Sequence, residues 1–245
     1  MTNTGNTTIN GDAGGDIGLH PGSAFTGQAS VTLSGVVHAA DDVAKQAKVD
    51  LVTAYDDAAG RTPVTIIPTE LGGTTLKPGV YASESGDFKI TGELTLDAEC
   101  DPNAVFVFQM TSTLITEVDS EVTLIGDARY CRVFWQVGSS ATLGVGSHFV
   151  GHIFALTSIE AHTNATIQGQ LLARNGSVTL DSNTITNGLC ESEQPEEQEK
   201  PLEPEKDKPE EEIKKIPNTG ISSSILYSAT LITSLGGLYV LRRKK

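Results

Sequence analysis

Apolar residues recur along this chain in two ways, and the change between them divides it. From Ala39 to Gly60 they fall at three- and four-residue intervals: Val43, Ala47, Leu51, Ala54, Tyr55 and Ala58. That spacing predicts one apolar stripe on one helix. Asp41 and Asp42 lie in its first turn, where the helix dipole favours negative charge, and Gly60 suits its stop. From residue 76 onward, short runs of Val, Ile, Leu and Phe are broken every few residues by Gly, Asn, Asp and Ser. No second helical pattern appears there. The remainder reads as strands and turns.

The strands repeat. Ser140–Phe149 aligns with Ser158–Ile167 and, one residue shorter, with Ser177–Ile185; the starts are 18 and 19 residues apart. Thr113–Val122 is a looser copy. A period of this size with alternating apolar positions fits a parallel β-solenoid, one coil per copy. Ala141, Leu143, Ile159, Ala161, Val178 and Leu180 then face inward. Ser140, Thr142, Ser158, Glu160, Ser177 and Thr179 face out. The runs 133–137 (VFWQV), 153–156 (IFAL) and 170–173 (QLLA) are apolar without alternation, as in strands covered on both faces. The single helix is the expected cover. A β-sandwich with a helical insertion would explain the alternation but not the period.

Composition separates three regions. Residues 1–190 form the predicted β domain. Residues 191–215 hold 11 acids, 5 lysines and 4 prolines and read as an extended, disordered spacer. Residues 221–241 are 21 uncharged, mostly apolar residues, long enough to cross a bilayer, followed by the basic tail 242–245. The formal net charge of −14 argues against nucleic acid as a partner. Ile216-Pro217-Asn218-Thr219-Gly220, directly before the apolar run, resembles the LPxTG-type sorting signal of Gram-positive surface proteins. The resemblance implies that a sortase cuts between Thr219 and Gly220 and joins Thr219 to the cell-wall peptide, after a membrane-held stage. It places the β domain outside the cell. The first residues carry no signal-peptide pattern, so a signal peptide is expected to precede residue 1.

The β region as a whole resembles a known family. Segments 71–81 (LGGTTLKPGVY), 94–97 (LTLD), 101–109 (DPNAVFVFQ) and 133–144 (VFWQVGSSATLG) are similar to those of the microbial ice-binding proteins, and the likeness runs from Thr2 to Thr186. It implies a mainly β fold: a discontinuous right-handed parallel β-solenoid of triangular section with one long α-helix along a side. The family's usual opening strand is not visible before residue 1 and is expected to be missing. The implied partner is ice, or an ordered water surface, bound by a monomeric domain without a cofactor. The family's ice-contacting motif, roughly Thr-Ala/Gly-any-Thr/Asn, points to Thr4 and Thr7, Gly144 to Ser147, Thr163 and Thr166, and Asp181 and Thr184. Thr142 and Thr179 are candidates on the adjoining strand face. Glu117, Asp119, Glu121, Glu160 and His162 put charge or bulk close by.

Catalytic signatures are not found: no Gly-rich phosphate loop, no His-Glu-x-x-His and no Gly-x-Ser-x-Gly. No enzyme activity and no metal site are expected. His148 and His152 could share a strand face. Three cysteines at an oxidising exterior allow one bridge. Cys100 and Cys131, near the starts of the two characteristic segments, are the expected pair, although spacing alone does not fix it. Two functions remain at this stage. One is a wall-anchored ice-binding protein with antifreeze, recrystallisation-inhibiting or ice-adhesion activity. The other is a wall-anchored adhesin or structural stalk with the same solenoid and no ice affinity.

Overall fold

The structure, a computed structural model, describes residues 1–11 and 15–188. Its repeating unit is a coil of short strands joined by tight corners. In one coil, Val133–Val137 is followed by Ala141–Leu143 and then by the long strand His148–Ala155. The next coil repeats the path through Ile159–Ala161 and Thr166–Ala173. Every pairing between strands is parallel, so equivalent residues of successive coils lie side by side: Ala141 beside Ile159 and Ile159 beside Val178. The 18- and 19-residue repeats are therefore single coils.

The strands stack in three ladders. The first holds Phe88–Ile90, Leu114–Thr116, Ala141–Leu143, Ile159–Ala161, Val178–Asp181 and Thr2–Thr4. A second runs from Thr74–Leu76 through Glu93–Asp97, Glu121–Ile125 and the first halves of the two long strands to Thr184–Thr186, Thr7–Asn10 and Val31–Leu33. The third contains Thr65–Ile66, Gly79–Ala82, Phe106–Met110, Val133–Val137 and the second halves of the long strands. Gly151 (φ 110°) and Gly169 (φ 147°) mark where the long strands pass from the second ladder to the third. A side chain at Gly169 would collide with the Gly151 carbonyl. That bend requires glycine.

Sequence order and stacking order differ. Residues 2–10 stack on the coil of residues 178–187, and Val31–Leu33 and Val37–Ala39 stack in turn on Thr7–Asn10 and Ile17–Leu19, whereas the chain after the helix begins again at the opposite end. Helix α1, Asp42–Gly60, makes the connection. Its 19 residues span about 28 Å and the eight strands of the second ladder span about 34 Å, so the helix and the short extended segments flanking it make the return. Asp41 caps it, accepting from the Ala44 N–H at 2.8 Å. That bond and the His38 ring hold the Asp41 carboxyl below the usual carboxylate range.

The helix lies on the third ladder, as its doubly apolar strands require. Leu51, Tyr55 and Ala58 pack on Val107 and Phe154, with Val80, Phe134 and Leu172 at the margins. Gln109 donates to the carbonyls of Ala58 and Arg61 at 2.8 and 2.9 Å, satisfying the helix end. The stripe differs from the expected one in its first half. Val43 and Ala47 are exposed, and the packed positions are Ala44 and Lys48. Lys48 lays its stem along the ladder and donates to the carbonyls of Ala173 and Arg174 at 2.6 and 2.7 Å. Tyr55 ties helix to sheet, accepting from Gln136 Nε2 at 2.8 Å and donating to the Val137 carbonyl at 3.4 Å. Tyr55→Phe should leave Gln136 without its closest acceptor. The expected cost is about 1 kcal/mol in urea unfolding.

Inside the coils, Ala141, Leu143, Ile159 and Leu180 are fully buried, as the alternation predicts. An aromatic column fills the wide part of the core. Trp135 stacks on Phe108 at 3.9 Å between ring centroids, and Tyr81 follows at 5.6 Å. The indole N–H donates to the Val150 carbonyl at 3.0 Å.

Two expectations need correction. Cys100 is a free, exposed thiol and Cys131 is disulfide-bonded, so the Cys100–Cys131 bridge is not formed. Stacking sets Cys100 over Gly126, whose carbonyl accepts the Cys100 N–H at 2.9 Å, short of the turn Tyr130–Arg132 that holds Cys131. Cys190 lies outside the described residues. His148 and His152 share a strand but not a face, because the bend at Gly151 falls between them. His148 is exposed. His152 is buried on the helix-covered side, its ring 5.6 Å from that of Phe134 and its Nδ1 without a partner.

Burial pushes the His152 imidazole down to about 4 from 6.5, so the native state keeps it neutral where the unfolded chain would take up a proton. Stability should therefore fall as pH drops from 6.5 towards 4, by about 3 kcal/mol from this group, and its contribution should level off below that. His152→Leu should flatten that part of the curve in urea titrations at each pH. An unchanged slope would place the acid sensitivity elsewhere.

Candidate functional site

The corner between the first and second ladders carries one left-handed residue in each of six coils: Gly5, Gly92, Asp119, Gly146, Asn164 and Ser182, with φ between 54° and 78°. Gly and Asn tolerate this conformation best, which is why the corners read as breaks in the sequence. The expected ice-contact motifs fall on these corners. Thr7, Ser147 and Asn183 point inward and are about 1% exposed. Thr7 Oγ1 accepts the Asn183 N–H, and Asn183 Nδ2 donates to the carbonyls of His162 and Ala165. Thr163 donates to Asp181 at 2.5 Å. Thr7 and Ser147 are thus too buried to meet a surface, and Thr163 and Asp181 bond one another. Half of the motif serves the turn. Thr4 stands exposed at the first ladder's end.

Outward positions form rows across the coils. On the first ladder one row reads Lys89, Ile115, Thr142, Glu160, Thr179, Thr2. Thr142 and Thr179 do share it, but Glu160 stands between them, and Lys89 is paired with Glu117 at 2.8 Å. Charge divides this row into short uncharged stretches, Ile115 with Thr142 and Thr179 with Thr2, the latter continued by Thr26.

The second ladder differs. One row reads Glu93, Glu121, His148, Thr166, Thr184, Thr8, Thr32. Thr166 and Thr184 are neighbours, as the repeat predicts, and the residue one coil earlier is His148 rather than Ser147. Each coil enters the row just after its inward-pointing corner residue, which displaces Ser147 from the surface. Beyond Thr184 the row continues through Thr8 and Thr32. These four threonines are unbroken, in register, and about 4.8 Å apart from strand to strand. Two residues along each strand lies a parallel row, with Thr75, Thr95 and Thr123 at one end and Gln168, Thr186 and Asn10 at the other. Between the two rows runs a shallow trough of about 440 Å³, bordered by Glu121, His148, Thr166 and Thr184 on one side and Thr123, Val150, Gln168 and Thr186 on the other.

The repeat brings Thr166 and Thr184 into one row but gives no place on this face to Thr8, Thr32, Thr75, Thr95, Thr123 and Thr186. The signal was present as Glu93-Leu-Thr95, Glu121-Val-Thr123 and Thr184-Ile-Thr186, polar residues two apart around one inward apolar residue. Thr8 and Thr32 could not be joined to the row without knowing that the N-terminal segment stacks on the last coil.

Small hydroxyls and methyls at a fixed repeat offer a stiff surface with little charge. Such a surface can hold water in ranks, each threonine contributing little alone. No cluster of His, Cys, Asp or Glu able to hold a metal ion occurs among the described residues, and no helix among them is long and apolar enough to cross a membrane. The run 221–241 and the pentapeptide 216–220 lie outside the described residues.

Comparison with known proteins gives one consistent result. A family model described as ice-binding-like matches residues 1–186. An ice-binding protein of Nostoc sp. (strain HG1) is 46% identical over 210 residues, 84% of this chain and 74% of the relative. The crystal structure of an ice-binding protein from an Antarctic biological consortium superimposes with a TM-score of 0.72 at 43% identity, covering 76% of this chain and 83% of the other. That of an ice-binding protein from the Antarctic ascomycete Antarctomyces psychrotrophicus gives 0.70 at 41% identity, covering 76% and 89%.

Proposed function

Because the chain belongs to the ice-binding-like family, we propose that it adsorbs to ice through the outward face of the second ladder, along the row Thr166, Thr184, Thr8 and Thr32 and the trough beside it. The observation that carries this reading is the in-register threonine row, unbroken over four coils. Rows of hydroxyls held by a rigid sheet are pre-organised, so little side-chain entropy is lost on meeting a lattice. The first ladder is the poorer surface, because Glu160 separates Thr142 from Thr179. Thermal hysteresis and ice-recrystallisation inhibition by the purified chain test the reading; unaltered ice growth at high micromolar protein would refute it. Glu93 and Glu121, adjacent in the same row, favour the second reading, an adhesin or stalk that keeps the fold without ice affinity.

The finer geometry belongs to the same proposal. Three ladders per coil support a triangular section, and parallel pairing between successive coils supports a right-handed path. The chain acts without a cofactor and not as an enzyme.

Attachment rests on the sequence. The pentapeptide ending in Thr219-Gly220, the apolar run and the basic tail support export and sortase linkage of Thr219 to a Gram-positive cell wall. Replacing both Thr219 and Gly220 by alanine should move the protein from the wall to membrane or medium fractions. Wall-linked protein after both changes would exclude the sortase route.

A further inference from the structure

His148 stands where the row changes character. Towards one end lie the carboxylates of Glu121 and Glu93; towards the other lie Thr166, Thr184, Thr8 and Thr32. Its Nδ1 is 2.8 Å from Thr166 Oγ1, the first hydroxyl of the threonine row. The imidazole thus borders the trough and is bonded to the proposed ice-contacting array.

We propose that His148 is a pH-dependent boundary of the ice-contacting row, lengthening the uncharged surface when neutral and shortening it when protonated. The inference rests on the ice-adsorption reading above. A neutral imidazole has one donor and one acceptor nitrogen, so it can exchange hydrogen bonds with the Thr166 hydroxyl and surface water as another uncharged member of the row. With both nitrogens protonated it only donates. Thr166 Oγ1 must then accept, its own hydrogen is turned away, and a full charge with its own hydration shell enters the row. The groups facing His148 from the packed strands are Glu121 in register on the preceding coil and Thr166 on the next. Asp119 lies at the corner before Glu121, and Val150 and Gln168 form the adjacent row. Among the described residues, Glu121 is the only titratable group in register with it.

The test is thermal hysteresis of the full chain between pH 8 and pH 5, for wild type, His148→Thr, His148→Gln and Glu121→Gln, with circular dichroism at each pH confirming the fold. Wild type should lose hysteresis several-fold towards pH 5. His148→Thr should show a flat profile and, with five threonines in line, higher activity at pH 8. His148→Gln gives the flat profile if the threonine variant folds poorly. Glu121→Gln should keep the wild-type pH dependence. A wild-type profile that is flat, or one that vanishes only in Glu121→Gln, overturns the role of His148 while leaving ice adsorption standing. No hysteresis at any pH overturns both.

Discussion

Tyrosine in place of Thr166 should cut thermal hysteresis several-fold while shifting the melting temperature by only about 1–2 °C, because a surface substitution rarely exceeds about 0.5 kcal/mol. Thr166 borders the trough and joins His148 to Thr184. A phenol ring there would stand above the threonines on either side and hold ice away from them. The loss is expected to be far larger than one contact's share, since only the array matches a lattice. Thr142→Tyr is the comparison: it adds the same ring to the first ladder, beside Glu160. Its hysteresis should equal wild type. Reversed results for the two variants would move the site to the first ladder.

The largest effect on stability is expected from Leu143→Asp. Leu143 is fully buried and lies beside Ala161 of the next coil. A carboxylate at that depth has no partner, and the cost is several kcal/mol whether it stays charged or takes up a proton. Leu180→Asp, equally buried, should behave alike. Both should abolish the cooperative thermal transition or lower it far below wild type. Ser177→Asp, on an exposed outward position two residues before the half-buried Thr179, should melt close to wild type. Tolerance of both core changes would mean that the inward register is wrong.

The register was legible because it depends only on alternation. Residues facing inward and outward in the copies beginning at 140, 158 and 177 follow from a period of two within a period of 18 or 19. Helix α1 was legible from its stripe, and its position followed from strands apolar on both sides. What the sequence hid was non-local. Residues 1–39 show no spacing that places them on the last coil, so Thr8 and Thr32 could not be added to the row of Thr166 and Thr184. The bend at Gly151, which leaves His148 on the exposed second ladder and His152 buried on the covered side of the third, looks like any other glycine. The corner motif misled for a related reason. Thr, Asn and Ser suit both a left-handed turn and a water-facing surface, and only burial separates Ser147 and Thr7 from Thr184. Cysteine pairing depends on which corners stack, and a one-dimensional spacing does not report that.

The central claim is that one face, the second ladder, meets ice. Dye-labelled chain incorporated into a growing single ice crystal tests it most directly, with two variants compared to wild type. Thr8→Tyr alters the middle of the threonine row, and Thr179→Tyr alters the first ladder on a neighbouring coil. Wild type and Thr179→Tyr should label the crystal alike, and Thr8→Tyr should leave it dark. A crystal labelled by Thr8→Tyr and dark with Thr179→Tyr would contradict the account.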